Sequence, residues 1–239
     1  MNLEDLLATR PLFHVHENQP HSWQLSTDVL KFIDAEVLPG LRTIETGEGY
    51  STVLFALKRC HHTCVTINAP GVERIREFCA EHAISLDTVT FDTRPSQVAL
   101  PGREMGTLDV VLIDGGHGFP TPMVDWFYMV PALRVGGIVV VDDTQIWTGK
   151  VLRDFMAADS AWGLVFEHPG RTAVFRKLAI VDVAAEFYAQ PYVMQHTRQN
   201  DRWRRRARVT GQLIRAGHWD ALAGKAIGYG ARAVRRLVG

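Results

Sequence analysis

Short apolar runs alternate with longer stretches of helical periodicity through the middle of the chain. The apolar runs predict five strands, the first beginning at residues 43–44 and the others at 64–67, 89–91, 108–113 and 138–141. Continuous runs of this kind are typical of strands that are buried on both faces. The helical spacing of apolar residues predicts helices at 51–58, 72–83, 122–133 and 150–158. The alternation indicates an α/β fold with a doubly wound, mostly parallel sheet.

Two glycine-containing segments indicate how the later elements end. Arg134-Val135-Gly136-Gly137 follows the third predicted helix, and glycine there is expected to supply a left-handed cap. His168-Pro169-Gly170-Arg171 separates two further apolar runs at 164–167 and 172–176. Those runs predict an antiparallel hairpin after the parallel strands.

Composition limits the class of protein. The 239 residues, 46% of them hydrophobic, can build one well-buried core. No stretch is apolar enough to span a bilayer, and residues 1–10 do not resemble a secretory signal. The three cysteines are too few for a disulfide framework, which favours a soluble, cytoplasmic enzyme.

The charge is balanced overall but divided between two parts of the chain. Residues 198–239 carry 11 Lys and Arg against Asp201 and Asp220, whereas the preceding 197 residues carry 15 basic and 24 acidic side chains. A basic amphipathic tail can pack on an acidic body, join a homo-oligomer or contact an anionic membrane. We expect packing or oligomerisation, no nucleic-acid partner, and three parts: a cap segment (1–39), a catalytic domain (40–178) and the tail (179–239).

A glycine pair lies where the first strand passes into a helix, in residues 45–51 (Glu-Thr-Gly-Glu-Gly-Tyr-Ser). Glycine lets the backbone turn tightly and approach a ligand, and the helix that follows offers free amide hydrogens. The pair alone could be an ordinary turn. Its place after the first strand of a doubly wound sheet favours a nucleotide site.

Three positions discriminate between kinds of nucleotide. The dinucleotide pattern calls for a third small residue where this chain has Thr52, and for an acid at the second strand tip, where it has Asn68. Glu45 offers a carboxylate to a ligand ammonium group. This combination suits an amino-acid nucleoside better than a pyrophosphate.

Residues 45–51, together with 108–117 (Leu-Asp-Val-Val-Leu-Ile-Asp-Gly-Gly-His) and 133–144, resemble the motifs of class I S-adenosylmethionine-dependent methyltransferases. The resemblance covers residues 40–178, and is nearest to the macrocin and mycinamicin O-methyltransferases, with the catechol type more distant. It implies a Rossmann-like, seven-stranded sheet whose last strand is antiparallel. The candidate residues for S-adenosyl-L-methionine are Glu45, Gly47, Gly49, Tyr50, Ser51, Asn68, Asp92, Ser96 and Gln97. Asp92, Ser96 and Gln97 could instead belong to a solvated loop.

Three acids follow the fourth and fifth predicted strands: Asp114, Asp142 and Asp143. The carboxyl ends of neighbouring parallel strands meet at one edge of the sheet, so these carboxylates should converge. A cation would relieve their repulsion, and oxygen-only ligation suits Mg²⁺. The resemblance implies a metal site with this spacing, although metal-free relatives can carry similar acids and the acids could merely cap loops.

His117 follows Asp114 by three residues. Its ordinary pKa makes it a candidate general base for a hydroxyl, with Asp114 as its catalytic neighbour; the alternative is a histidine that orients the Gly115-Gly116 turn. His14, His16 and His21 form a cluster without a zinc pattern, which we interpret as part of the cap segment over the substrate cleft.

The sequence therefore predicts metal-assisted O-methylation of a small-molecule acceptor such as a sugar, a phenol or another natural product. Two alternatives stay open. One is an NAD-type oxidoreductase, disfavoured by Thr52 and Asn68, and the other is a non-catalytic adaptor that binds a membrane or a partner through its basic tail.

Overall fold

A computed structural model describes residues 1–197, 208–210 and 214–215. The strands of the described residues are β1 (His14–His16), β2 (Gln19–His21), β3 (Arg42–Thr46), β4 (His61–Val65), β5 (Val89–Asp92), β6 (Leu108–Ile113), β7 (Leu133–Val141), β8 (Trp162–His168) and β9 (Thr172–Lys177). Seven of them form one sheet in the order β5-β4-β3-β6-β7-β9-β8, and the two short strands β1 and β2 pair in a separate hairpin.

The sheet confirms the predicted α/β class. Strands β3 to β7 pair in parallel, whereas β9 is antiparallel to both of its neighbours, β7 and β8. The strand order reverses at β3, which lies between β4 and β6. Open α/β sheets bind their ligands outside the carboxyl ends of the strands at such a switch point.

Helices cover both faces of the sheet. They are α1 (Leu3–Thr9), α2 (Thr27–Glu36), α3 (Tyr50–Leu57), α4 (Ala69–Glu81), α5 (Ser96–Ala99), α6 (Thr121–Met129) and α7 (Trp147–Ala157). Successive strand residues point to opposite faces, so Val110 packs in one hydrophobic cluster with Val53 of α3, while Val111 packs in the other with Trp126 of α6. The apolar runs of the sequence are thus buried on both faces of the sheet.

The segment after α6 differs from the expected glycine cap. The helix ends at Met129 and continues as a short 3-10 turn, Val130–Ala132, because Pro131 has no amide hydrogen to donate. Residues 134–137 belong to β7, and Gly136 has a φ of 84° beside an irregularity in the pairing of β6 with β7. The glycine permits a kink in a strand, and the prediction of a helix cap was wrong.

The chain divides into two compact units, Met1–Ala185 and Glu186–Gly239. The first contains the sheet and all the helices named above. The described part of the second contains a 3-10 turn, Phe187–Ala189, and helical residues at 191–197, 208–210 and 214–215. The structure does not test the hypotheses on the basic tail, since most of residues 198–239 lie outside the described residues. Among the described helices, none has the length and apolar character needed to cross a bilayer.

Candidate active site

A cleft of about 890 Å³ opens at the carboxyl ends of β3, β4, β6 and β7. Its lining includes the following predicted site residues: Gly47, Asn68, Ser96, Gln97, Asp114, His117, Asp142 and Asp143. It also includes residues that the sequence did not single out as ligand contacts, among them Trp23, Gln24, Thr46, Glu48, Thr66 and Arg171. The cleft has two sides, a glycine-turn side at β3 and β4 and an acidic side at β6 and β7.

The turn after β3 depends on glycine. Gly47 has a φ of 88°, and a Cβ there would overlap the backbone carbonyl oxygen of Asp114 at the end of β6. The backbone of the glycine turn therefore packs directly against the backbone that carries the acidic side of the cleft. Gly49, at the start of α3, also has a positive φ, of 153°, but it is not among the cleft-lining residues.

Glu48 lies between the two glycines and forms the wall of the cleft on the glycine-turn side. Its side chain is only 4% exposed. Its carboxylate accepts hydrogen bonds from the Thr66 hydroxyl and, at 2.5 Å, from Asn68 Nδ2, and His14 Nε2 lies 3.3 Å from Oε1. Burial acts to raise the pKa of Glu48, but the hydrogen bonds from His14, Thr66 and Asn68 bring it below the ordinary carboxyl value.

Glu45 does not line the cleft. It is fully buried, where its Oε1 accepts hydrogen bonds from the Thr52 hydroxyl and from His62 Nε2 at 3.0 Å. Thr46, the next residue of β3, faces the cleft instead, because neighbouring strand residues point in opposite directions. The Thr52 hydroxyl also accepts a hydrogen bond from the Gly49 amide at 3.0 Å, so Glu45 supports the glycine turn from behind.

Three other candidate cofactor residues lie outside the lining. Tyr50 is buried and packs edge-on against Phe13, with ring centroids 5.8 Å apart, and Ser51 is buried at the start of α3. Asp92 pairs with Arg94 at 2.7 Å and with Arg103. Hydrogen bonds from Arg94, aided by the charge of Arg103, hold the pKa of Asp92 down to about 2.

The acidic side gathers Asp114, His117 and Asp143, whose ligand atoms all lie within 4.8 Å of one another. His117 Nε2 is 2.9 Å from Asp143 Oδ2. The grouping differs from the predicted trio, because Asp142 is buried and its Oδ1 accepts a hydrogen bond from the Thr172 hydroxyl in β9. The two consecutive side chains therefore point in different directions: Asp142 points toward β9 and Asp143 points toward His117.

The electrostatics of this side are uneven. Burial and the facing carboxylates of Asp142 and Asp143 raise the pKa of Asp114 well above its usual range. The hydrogen bond with Asp143 raises the pKa of His117, and the same bond lowers the pKa of Asp143. Burial raises the pKa of Asp142, against the hydrogen bond from Thr172. The arrangement favours a cation, or a proton, between Asp114 and its neighbours.

The N-terminal hairpin closes one end of the cleft. His14 Nε2 is 3.1 Å from the Glu48 carbonyl oxygen, and Trp23 lines the cleft with its ring centroid 5.5 Å from that of His14. Arg171, in the turn between β8 and β9, donates a hydrogen bond of 2.7 Å to the Gln24 carbonyl oxygen. The β8–β9 turn and the N-terminal segment therefore meet at the cleft.

Comparisons with known proteins identify a matching domain model and similar folds. Residues 44–144 match the family model described as "Methyltransferase domain". Comparison with the curated proteins gave no match. Among solved structures, similar chains include cofactor-bound Rv0187 from MTB, with 17% identity and a TM-score of 0.57 over 73% of this chain and 88% of that one.

Two further similar structures are named as O-methyltransferases. NovP has 16% identity and a TM-score of 0.55, covering 72% of this chain and 88% of its own. TomG from Streptomyces achromogenes, in complex with SAM, has 15% identity and a TM-score of 0.53, covering 65% of this chain and 82% of its own. Residues 44–144 thus match a methyltransferase domain model, and the fold of the chain is similar to that of solved O-methyltransferases.

Proposed function

We propose that this protein transfers a methyl group from S-adenosylmethionine to a hydroxyl oxygen of a small molecule, assisted by a divalent cation. One observation carries the proposal: the glycine turn and the acidic cluster face the same cleft, with Gly47 packed on the backbone of Asp114. A nucleoside on one side of that cleft and a hydroxyl on the other would be neighbours. Holding two reactants in this way supplies a large part of the rate in group transfer.

The glycine-turn side fits an S-adenosyl ligand. Gly47 lines the cleft and lets the turn after β3 pack closely on the backbone of Asp114, and Ser96 and Gln97, at the start of α5, add polar groups to the lining. When bound, S-adenosylmethionine supplies an activated methyl group on a sulfonium. The task of the chain is then to orient that group and to exclude water from it.

His117 is the residue that we assign to proton removal. With Nε2 hydrogen-bonded to Asp143, Nδ1 is the ring nitrogen that can accept the proton of an acceptor hydroxyl. The Asp143 carboxylate stabilises the imidazolium that this step produces. Thr148 holds the backbone of His117 in place, since the Thr148 hydroxyl donates a hydrogen bond of 2.6 Å to the His117 carbonyl oxygen.

Asp114 and Asp143 would hold a divalent cation, for which the site offers a physical reason. Carboxylates are crowded there, and the pKa of Asp114 is raised by the burial and repulsion that a cation would offset. Mg²⁺ is commonly held by one or two carboxylates, with water and substrate oxygens completing its octahedron. When bound, the cation would lower the pKa of an acceptor hydroxyl.

Oxygen as the methyl acceptor is supported by the cluster and by the names of NovP and TomG, which are O-methyltransferases. The test combines titration with S-adenosylhomocysteine, with and without Mg²⁺, and a labelled-methyl screen of sugars, phenols and other hydroxyl compounds. We expect binding of the nucleoside and Mg²⁺-dependent labelling of an acceptor. Labelling that persists unchanged in excess chelator would exclude the metal from the reaction. Tighter binding of NAD than of S-adenosylhomocysteine would overturn the proposal as a whole.

A further inference from the structure

Asn68 stands just beyond the tip of β4, where a doubly wound nucleotide site calls for an acid that holds the ribose hydroxyls. Both ends of its amide are already engaged within the protein. Its Oδ1 accepts a hydrogen bond of 3.2 Å from the Gly71 amide at the start of α4, and its Nδ2 donates to Glu48 Oε1 at 2.5 Å. Asn68 therefore caps a helix and positions a neighbouring carboxylate.

The carboxylate that Asn68 positions belongs to the cleft wall. Glu48 is almost wholly buried, yet it is one of the cleft-lining residues. A carboxylate can accept about four hydrogen bonds. Asn68, Thr66 and His14 account for three of these, which leaves acceptor capacity for a ligand in the cleft.

The start of α4 is shaped to leave room for this carboxylate. A Cβ on Gly71 would lie 2.5 Å from Glu48 Oε1 and 2.5 Å from Asn68 Nδ2. Gly71 has no positive φ, so its backbone conformation does not require glycine. The contact with Glu48 and Asn68 is thus a reason for glycine that is independent of the hydrogen bonds.

We infer that Glu48, from the glycine turn, supplies the carboxylate that binds the ribose hydroxyls of the nucleoside, in place of the residue after the β4 tip. The inference rests on the proposed function and makes it more specific. The two neighbouring ribose hydroxyls are hydrogen-bond donors. The Glu48 carboxylate, which Thr66, Asn68 and His14 hold in place, has acceptor capacity left for them. His14 brings the N-terminal hairpin to the same carboxylate, so the hairpin contributes to the nucleoside site.

One substitution separates this arrangement from one in which position 68 binds the ribose. Asn68→Asp keeps the oxygen that caps α4 but places a second carboxylate against Glu48. If Glu48 binds the ribose, repulsion displaces it and the affinity for S-adenosylhomocysteine, measured by calorimetry, falls roughly 10-fold or more. If position 68 is the ribose site, the new acid increases the affinity, and the inference is overturned.

A ligand change tests the hydroxyl contact itself. We expect the parent protein to prefer S-adenosylhomocysteine over its 2′-deoxy counterpart by roughly 10- to 100-fold, because a hydrogen bond to a charged group is lost. In Glu48→Gln this preference should shrink to about threefold or less. Glu73→Gln removes a carboxylate from an exposed site on α4 and should keep the full preference.

Thermal unfolding checks that each variant is folded. Gly71→Ala is a second variant in which the preference for S-adenosylhomocysteine over its 2′-deoxy counterpart is measured. Its added methyl group should displace Glu48 and reduce the ribose preference while leaving the helix intact. A Glu48→Gln or Gly71→Ala protein that retains the parent's preference overturns the inference, although the proposed function would stand. A parent protein that binds no S-adenosylhomocysteine defeats the proposed function itself.

Discussion

The two sides of the cleft contain carboxylates in opposite electrostatic conditions. On the glycine-turn side, hydrogen bonds surround Glu48 and the pKa of its carboxyl is lowered. On the acidic side, Asp114 faces other carboxylates and its pKa is raised well above the ordinary value. Both residues follow parallel strands at the same edge of one sheet.

The surroundings of a carboxylate, more than its position after a strand, therefore decide what it can do. Glu48 has a fixed charge and fixed partners, which suits recognition of neutral donors on a ligand. Asp114 lacks compensation for its charge, which suits a site where a cation or a proton is handled. Substitutions on the acidic side should therefore change turnover, whereas those on the glycine-turn side should change binding.

We expect the greatest loss of turnover from a substitution at His117. His117→Gln removes the proton acceptor from the acidic side but keeps a polar side chain of similar size. We expect turnover to fall by about 10²- to 10⁴-fold, the usual contribution of a general base, with little change in S-adenosylhomocysteine affinity. Methyl transfer is measured with the best acceptor of the screen. Equal losses in binding and turnover would contradict the division of roles.

Asp114→Asn removes one carboxylate from the acidic cluster. The loss of a preorganised charge at the reacting centre should reduce turnover by about 10²- to 10³-fold. Nucleoside binding should persist, because the glycine turn contacts the backbone of this residue and not its side chain. Turnover near that of the parent protein would exclude the carboxylate from the reaction.

Gly47→Ala tests the contact between the two sides. Its Cβ would require an unfavourable positive φ and would overlap the Asp114 carbonyl oxygen. We expect the free energy of unfolding to drop by about 2–4 kcal/mol, combining backbone strain with overpacking, and nucleoside binding to be lost. Gly102→Ala is the control: it has a similar φ of 69° but open space around the Cβ, so about 1 kcal/mol is expected. Equal destabilisation in the two variants would argue against the packing contact.

The smallest effect is expected at Asp92, which lies outside the cleft between two arginines. Its pKa is about 2 in the folded protein against an ordinary 3.8, so its stabilising contribution is present above about pH 4 and is lost as the pH falls to about 2. Asp92→Asn should lower the free energy of unfolding at pH 7 by about 1 kcal/mol or less, and this difference should vanish near pH 2. Denaturant titrations at several pH values measure it, and nucleoside affinity should not change.

The sequence predicted the strand tips well because continuous apolar runs identify the strands of a parallel sheet even when the elements that pack against each strand are unknown. Glu45 was predicted as a ligand contact because residues 45–51 were interpreted as the turn between the first strand and its helix, whereas β3 continues to Thr46. In a strand of that length, Glu45 points to the core and Thr46 to the cleft. The direction of a side chain at a strand end depends on where the pairing stops, which local pattern does not determine.

Glu48 and Asp142 illustrate a second limit. The role of Glu48 depends on Asn68 and Thr66, about 20 residues away in the next strand connection, and that of Asp142 depends on Thr172 in β9. Such pairings follow from strand order and register. The signal available in the sequence was only that Glu48 stands between two glycines and that two acids in succession cannot face the same way.

Calorimetric titration of the parent protein with S-adenosylhomocysteine, in parallel with NAD, is the decisive test of the nucleoside site. If the cleft is a nucleoside site beside an acidic reaction centre, S-adenosylhomocysteine will bind in a one-to-one ratio and NAD will bind much more weakly or not at all. Tighter binding of NAD, or no heat from S-adenosylhomocysteine in the presence and absence of Mg²⁺, would contradict it.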